Sequence, residues 1–170
     1  MQKIDQNFIG NESLYSKLKD SYLNSTLANS LIIYGEKGTG KSTFVKNFVE
    51  QIFVNFNINK NNNNSKHIQL LTNKSHPNFM EITKEFNDKT KKIKKNISIE
   101  QIRELIPFIY KTSILDLPKI VLIDSADDLN ISSSNSLLKI HEEPKQNTYF
   151  FLISHQLSKL IPTIRSRCIK

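Results

Sequence analysis

The sequence of 170 residues predicts an α/β fold, in which a parallel β-sheet lies between helices packed on both of its faces. Three short apolar runs lack alternation, as is typical of strands buried on both faces: Ser30–Tyr34, Lys119–Asp124 and Thr148–Ser154. Segments with apolar residues at helical spacing separate these runs. Because strands that alternate with helices form parallel sheets, the order of segments predicts this fold class.

Composition excludes several classes of protein. A mass of 19.7 kDa fits one ordinary domain, and 38% apolar residues exclude a wholly disordered chain. No apolar run approaches the roughly 18 residues that cross a bilayer, and Met1 to Asn11 lack the apolar core of a secretion signal. The single cysteine, Cys168, forms no internal disulfide. We therefore expect a soluble, cytoplasmic protein without a membrane partner.

The chain is basic, with 24 Lys and Arg against 16 Asp and Glu and a net charge of +8. Half of this excess lies between Lys84 and Lys95, a segment with six lysines and only two acidic residues, Glu85 and Asp88. A basic balance permits a nucleic-acid partner without demonstrating one. The segment from Lys84 to Asn96 is predicted to be an exposed loop.

The first part of the chain is predicted as helix, strand and helix. Asn11 is a candidate cap for a helix that extends to about Asn29. The strand Ser30–Tyr34 follows and ends at a glycine. A second helix is predicted from Lys41, with Phe44, Phe48 and Ile52 on one side as core residues.

The middle of the chain contains a loop, a strand and a capped helix. The asparagine-rich stretch from Phe56 to Lys66 is predicted to be a loop, and Asn78 to Thr83 a strand. Ser98 and Gln101 form a capping box for a helix. Pro107 lies inside its apolar pattern and is expected to kink it or to end its first half.

The last part alternates strand and helix. The strand Lys119–Asp124 is followed by a helix with Leu137, Leu138 and Ile140, then by the strand Thr148–Ser154. Residues 164 to 170 close the chain.

The strongest local motif is the segment Gly35–Ser42, which satisfies the pattern G-x-x-x-x-G-K-[ST] between a predicted strand and a predicted helix. Glycines allow backbone N–H groups to turn inward around phosphates. The lysine places a charge at the β- and γ-phosphates, and the serine hydroxyl is suited to bind Mg²⁺. The motif predicts a nucleoside-triphosphate site with these nucleotide-binding residues: Gly35, Gly38, Thr39, Gly40, Lys41, Ser42 and Thr43.

An acidic residue at the end of a buried strand is the expected second half of such a site. Asp124 occupies that position and, with Ser42, is predicted to hold Mg²⁺. An ATPase would normally carry a glutamate beside it to activate water, whereas this chain has Ser125. Asp127 and Asp128 are expected to cap the following helix. The sequence thus favours ATP binding over hydrolysis.

Several segments occur in a fixed order after this loop: D-S-A-D-D-L-N (124–130), N-S-L-L-K-I-H-E-E-P (135–144) and T-I-R-S-R-C (163–168). His76-Pro77 and Ile102-Arg103-Glu104 precede them. Together they resemble the AAA+ subunits of bacterial clamp loaders, most closely the delta-prime subunits of DNA polymerase III. The run D-x-A-D-x-x-N separates delta-prime subunits from the motor subunits, which carry D-E at this point.

The resemblance implies a three-layer AAA+ domain that spans residues 1–170, as the N-terminal part of a longer subunit whose lid and collar domains are absent from this chain. It implies that Ile9 and Gly10 cover the adenine of ATP. It also implies that Arg167 is an arginine finger acting in trans on a neighbour's nucleotide. The implied partners are the gamma/tau and delta subunits, the sliding clamp and primed DNA.

Many members of this family hold zinc with four cysteines after the loop helix. Residues 57–75 contain no cysteine here, and His67 and His76 alone do not complete a tetrahedral site. We expect ATP and Mg²⁺ as cofactors and no zinc.

Two other functions remain open, namely a gamma/tau-type motor ATPase and, less favoured, a P-loop kinase. As part of the polymerase III holoenzyme the chain is expected to have weak or no ATPase activity of its own. His141 and His155 are predicted to be surface residues, and Cys168 a buried packing residue.

Overall fold

The computed structural model of the chain describes residues 11–54, 64–113, 117–142 and 145–170. Within these ranges no helix has the length and apolar content required to cross a bilayer. The seven helices of the described residues are α1 (Glu12–Leu23), α2 (Lys41–Val54), α3 (Asn64–Thr72), α4 (Ile99–Arg103), α5 (Leu105–Tyr110), α6 (Ile131–Glu142) and α7 (Pro162–Arg167). The strands there are β1 (Ser30–Tyr34), β2 (Phe79–Thr83), β3 (Phe86–Asn87), β4 (Lys92–Ile93), β5 (Lys119–Asp124) and β6 (Thr148–Ser154).

Four strands form a parallel sheet in the order β1-β6-β5-β2. Ile169 extends the sheet beyond β1: the Ile32 N–H donates to the Ile169 carbonyl (2.7 Å), and the Ile169 N–H donates to the Ser30 carbonyl (3.0 Å). The predicted parallel α/β fold is therefore confirmed.

Both faces of the sheet are buried, and the strand residues alternate between two apolar cores. Ile120 and Leu122 of β5 pack with α1 and α2, whereas Val121 and Ile123 pack with helices α4 to α7. This two-sided burial explains why the predicted strands are continuous apolar runs. The central side chains on the α2 face are Phe44, Phe48, Val49, Ile52, Phe151 and Ile153.

The first helix is shorter than predicted. It ends at Leu23 rather than near Asn29, because Ser25 adopts a left-handed conformation (φ 57°) that the helix cannot include. Asn11 occupies the cap position, but its side chain forms no capping hydrogen bond. Leu27 is nevertheless buried, packed in the core beside the helix.

Two segments predicted to be loops contain regular structure. The end of the asparagine-rich stretch belongs to α3, which begins at Asn64, while residues 55–63 lie outside the described ranges. The lysine-rich segment 84–96 contains the antiparallel hairpin of β3 and β4 instead of an irregular loop. Two-residue strands are too short to leave an alternating pattern in the sequence.

The capping box is confirmed: the Ser98 hydroxyl accepts from the Gln101 N–H, and the Gln101 side chain accepts from the Ser98 N–H (3.0 Å). The helix divides after Arg103, four residues before Pro107. Because proline cannot donate to the carbonyl four residues earlier, the predicted interruption occurs there.

Candidate nucleotide-binding site

The glycine-rich loop begins where β1 ends, at the edge of the sheet formed by the carboxyl ends of the strands. Tyr34 is in register with Ser154, the last residue of β6, and the Gly35 N–H donates to the Ser154 carbonyl (3.2 Å). This bond fixes the start of the loop to the centre of the sheet. Ligands of open α/β sheets bind at this edge.

The backbone conformation of the loop depends on its glycines. Gly38 (φ 88°) and Gly40 (φ 79°) adopt conformations that favour glycine. Residues 36–40 are all exposed at this edge of the sheet. A glycine-rich turn that leads into the start of a helix is suited to bind an anion through its backbone N–H groups.

Lys41 is the charged centre of this loop. It is only 8% exposed, and its ammonium donates to the carbonyls of Gly35 (2.7 Å) and Glu36 (2.5 Å) and contacts the Thr39 hydroxyl (3.3 Å). The Thr39 hydroxyl in turn donates to the Glu36 carbonyl (2.9 Å). The positive charge is thus held within the loop instead of extending into solvent.

Helix α2 adds the positive end of its dipole at the same place. Its 14 residues begin at Lys41, and its first turn contains no acidic side chain that would neutralise the dipole. Ser42 is half-buried and Thr43 is exposed in this first turn. A positive helix end beside a glycine-rich loop is the arrangement that suits the phosphates of a nucleotide.

Asp124 lies at the end of β5, at the same edge of the sheet. It is half-buried and in register with Ile153 of β6, so one strand separates it from β1 and the loop. Adjacent strands are about 4.8 Å apart, which places the backbones of β1 and β5 about 10 Å apart. The predicted pair of metal-binding residues, Ser42 and Asp124, therefore shares one edge.

Asp127 has a role that local sequence patterns did not reveal. Its carboxylate accepts from the Ser154 hydroxyl (2.7 Å), the Gln156 N–H (3.2 Å) and the His155 N–H. It therefore connects the segment after β5 to the end of β6, whose Ser154 carbonyl holds Gly35. Only the predicted convergence of parallel strand ends could have suggested this contact.

The expected capping role of Asp127 and Asp128 is wrong. Asn130 caps α6, since its side-chain oxygen accepts from the Ser133 N–H (2.8 Å). Asp128 instead pairs with the Lys84 ammonium (3.0 Å) and accepts from the Ser125 hydroxyl (3.3 Å). Both carboxylates are engaged in structural contacts.

Arg167 ends α7. Its guanidinium contacts the Glu142 carboxylate (3.1 Å), and both side chains are substantially exposed, at 39% and 55%. Exposed pairs of this kind contribute about 0–1 kcal/mol, so this contact does not account for the presence of an arginine here.

Two histidines are less exposed than predicted. His141 is half-buried with its ring against Phe150 (4.6 Å between centroids), and neither ring nitrogen has a partner in the described residues. Burial first, and then Arg167, lower the pKa of His141 to about 4. His155 is also half-buried. Cys168 is buried as predicted, and burial raises its pKa to about 11.

His67 and His76 lie side by side, with His67 Nδ1 3.0 Å from His76 Nε2. His76 Nδ1 accepts from the Asn78 N–H (3.2 Å), so His76 Nε2 carries the proton and donates it to His67. Phe53 stacks on the His76 ring at 4.1 Å. Burial, followed by His67, lowers the pKa of His76 to about 4.

Among the described residues, no cluster of three or more His, Cys, Asp or Glu is suited to hold a metal ion. The predicted contacts of Ile9 and Gly10 lie outside the described ranges.

Comparison with known proteins extends these observations. Residues 10–170 match the family described as DNA polymerase III, delta subunit. The DNA polymerase III subunit delta' of Pseudomonas aeruginosa is 33% identical over 144 residues, which cover 84% of this chain and 42% of that protein. The subunit gamma of Buchnera aphidicola subsp. Schizaphis graminum is 42% identical over 71 residues, covering 42% of this chain and 20% of that protein. The chain spans less than half the length of these relatives.

A solved structure shares the fold. The crystal structure of a DNA polymerase III gamma subunit-related protein from Thermotoga maritima aligns with a TM-score of 0.66 at 21% sequence identity. The alignment covers 91% of this chain and 43% of that one. The three-layer α/β arrangement is therefore one already known in this group of proteins.

Proposed function

The chain belongs to the family of DNA polymerase III delta subunits, and from this premise we propose that it is the ATP-binding AAA+ domain of a delta-prime-like clamp-loader subunit. In this role it acts in the cytoplasm with other loader subunits of the gamma/tau and delta types. The assembly places the sliding clamp on primed DNA. ATP with Mg²⁺ is the proposed ligand, and zinc has no proposed role.

The observation that supports nucleotide binding is the glycine-rich loop around Lys41. Its positive-φ glycines, the buried Lys41 and the start of α2 all lie in one short segment of the chain. A triphosphate would accept from the backbone N–H groups of the loop and replace the carbonyl partners of the ammonium. Bound Mg²⁺ would neutralise phosphate charge, with Ser42 and Asp124 as its proposed protein ligands.

Binding without efficient hydrolysis is the second part of the proposal. Ser125 has no carboxylate, while Asp127 and Asp128 are held by structural hydrogen bonds. The loss of general-base catalysis commonly lowers rates by about 10²- to 10⁴-fold. A gamma/tau-type motor remains the second candidate, because gamma subunits are also among the relatives.

Arg167 is the proposed arginine finger for a neighbouring subunit's nucleotide. Its exposed position at the end of α7 leaves the guanidinium accessible to a partner. An arginine positioned in this way stabilises charge on the transferred phosphoryl group and is worth about 10³- to 10⁵-fold in kcat.

Calorimetric titration with ATP–Mg²⁺ tests the site. We expect measurable binding by the wild-type chain and loss of it in Lys41→Ala. Lys37→Ala is the matched control, since Lys37 lies in the same loop but is exposed. Equal binding heats for wild type and Lys41→Ala would contradict the proposed site.

Steady-state ATP turnover separates the candidate functions. The chain alone is expected to hydrolyse ATP negligibly, whereas a motor would show turnover that Lys41→Ala abolishes. In a loader assembled from the complete subunits, Arg167→Ala should lower clamp-dependent hydrolysis. Glu142→Gln removes only the partner of Arg167, so it should leave hydrolysis near the wild-type rate. A wild-type rate for Arg167→Ala would overturn the finger assignment.

A further inference from the structure

The hairpin of β3 and β4 carries an apolar pair in an exposed position. Phe86 and Ile93 are directly opposite each other across the two strands, so their side chains share one face. Phe86 is 55% exposed and Ile93 is 66% exposed. The Phe86 ring is therefore exposed to solvent and does not pack in either apolar core.

The segment that contains this hairpin, Lys84 to Lys95, carries half of the chain's excess positive charge. Two of its six lysines are neutralised, because Lys84 pairs with Asp128 and Lys94 pairs with Glu85. The other four are exposed and form no ion pair within the described residues: Lys89, Lys91, Lys92 and Lys95. The turn carries Lys89 and Lys91 with Asp88, and Lys92 lies on the hairpin face opposite to the Phe86–Ile93 pair, so the hairpin that bears the exposed ring is basic as a whole.

Internal bonds hold the hairpin in a defined shape. The Asn87 side-chain oxygen accepts from the N–H groups of Lys89 (3.0 Å) and Thr90 (3.1 Å), which fixes the turn. At the base, the Ile97 N–H donates to the Asp128 carbonyl (2.8 Å), on the segment that also pairs with Lys84. The lysines and the Phe86 ring are therefore carried by a hairpin whose turn and base are held by hydrogen bonds.

We propose that this hairpin binds single-stranded nucleic acid, with the lysines at the phosphates and Phe86 stacked on an unpaired base. Uncompensated lysines supply the sequence-independent attraction to a phosphate backbone. An exposed aromatic ring beside them is the other component of single-strand sites, since every base has a face that stacks. A duplex hides its bases and would leave Phe86 without a role. The proposal is independent of the nucleotide site, because no residue of the glycine-rich loop takes part.

Fluorescence anisotropy with a labelled oligothymidylate of about 20 nucleotides tests the charged part of this site. The triple variant Lys89→Gln, Lys91→Gln, Lys92→Gln should bind at least 10-fold more weakly. Its salt dependence should fall by about 2 in the slope of log K against log salt concentration, since each phosphate contact on a single strand contributes about 0.7. The matched control replaces the exposed residues Lys17, Lys159 and Lys170 by Gln and should stay within twofold of wild type.

The aromatic part is tested with Phe86→Ala, for which stacking predicts about a 5-fold or greater loss for the single strand. Binding of a duplex of the same length should change less than twofold, and Phe86→Tyr should retain single-strand affinity. Lys41→Ala should bind the oligonucleotide like wild type, so failure of the nucleotide site is distinguishable from failure of this one.

Four results would overturn the proposal. The first is undetectable oligonucleotide binding at about 50 mM salt. The second is equal weakening by the hairpin and control lysine variants, which would indicate diffuse charge. The third is a Phe86→Ala variant that binds the single strand like wild type. The fourth is tighter binding to polyglutamate than to the oligonucleotide, which would indicate an acidic protein partner.

Discussion

Asp127 connects the segment after β5 to the end of β6 through a single carboxylate. It accepts three hydrogen bonds from residues 154 to 156, and the Ser154 carbonyl in turn accepts from the N–H of Gly35 at the start of the glycine-rich loop. Hydrogen bonds to a charged group contribute more than neutral ones, and a buried donor left unpaired incurs a desolvation cost. One side chain therefore affects both folding and the position of the loop.

We predict that Asp127→Asn lowers the free energy of unfolding by about 1–3 kcal/mol, because the amide keeps one acceptor oxygen and loses the charge. Asp128→Asn is the matched control, since it weakens a single partly exposed ion pair with Lys84, and pairs of this kind are worth about 0–1 kcal/mol. Urea denaturation at neutral pH measures both. An equal decrease in the free energy of unfolding for the two variants would show that the hydrogen bonds of Asp127 contribute no more than the ion pair of Asp128.

Two histidines predict how stability depends on pH. The pKa values of His76 and His141 are lowered to about 4, from 6.5, because burial disfavours the charged ring. The folded state therefore binds fewer protons than the unfolded state between these values. Stability should be complete above pH 6.5 and fall as the pH decreases toward 4. We expect a contribution of about 1–2 kcal/mol per histidine over this range.

Urea denaturation of wild type and His141→Leu at pH values from about 7 to 4.5 tests this dependence. The variant should lose less stability on acidification than wild type, since leucine binds no proton. Parallel pH profiles for the two proteins would show that His141 does not contribute.

At the scale of elements, predictability followed the strength of the local pattern. The strands β1, β5 and β6 were identified because burial on both faces requires continuous apolar residues. Helix α3 was missed because its nine residues are mostly polar and begin inside an asparagine-rich run. The hairpin was missed because its strands have two residues each.

The candidate site shows the same division between local and long-range features. The glycine-rich turn between β1 and α2 was predictable because its residues are consecutive in the sequence. The contacts of Asp127 with residues 154–156, and of Arg167 with Glu142, join residues 25 to 29 positions apart. Such contacts depend on how the sheet is assembled, which no local pattern specifies.

The capping box of α4 provides a prediction at this scale. Ser98→Ala removes the acceptor for the Gln101 N–H and should lower the free energy of unfolding by about 1 kcal/mol. Ser16→Ala, at an exposed position inside α1, should have no such cost because alanine favours helix interiors. Thermal denaturation compares the two. A loss in Ser16→Ala as large as that in Ser98→Ala would contradict the capping explanation.

The whole molecule is organised around one sheet edge. The glycine-rich loop follows β1, Asp124 ends β5, Ser154 ends β6, and the basic hairpin follows β2. Because parallel strands all end in the same direction, segments distant in sequence are placed along one line. A ligand bound at this edge would contact elements from both halves of the chain, so its binding energy would oppose global unfolding.

Because ligand binding raises thermal stability, the Tm tests whether Arg167 contacts the nucleotide of its own chain or that of a neighbouring subunit. A ligand at ten times its dissociation constant stabilises the fold by about 1.4 kcal/mol, which for a chain of this size corresponds to roughly 3–5 °C in Tm. ATP–Mg²⁺ should raise the Tm of wild type by this amount and leave the Tm of Lys41→Ala unchanged.

If Arg167 acts only on a neighbour's nucleotide, Arg167→Ala should show the full wild-type shift in Tm. Arg165→Ala, in the same helical turn, is the matched control for local structure. Loss of the shift in Arg167→Ala alone would mean that Arg167 contacts the nucleotide of its own chain, and the assignment of a finger acting in trans would be wrong.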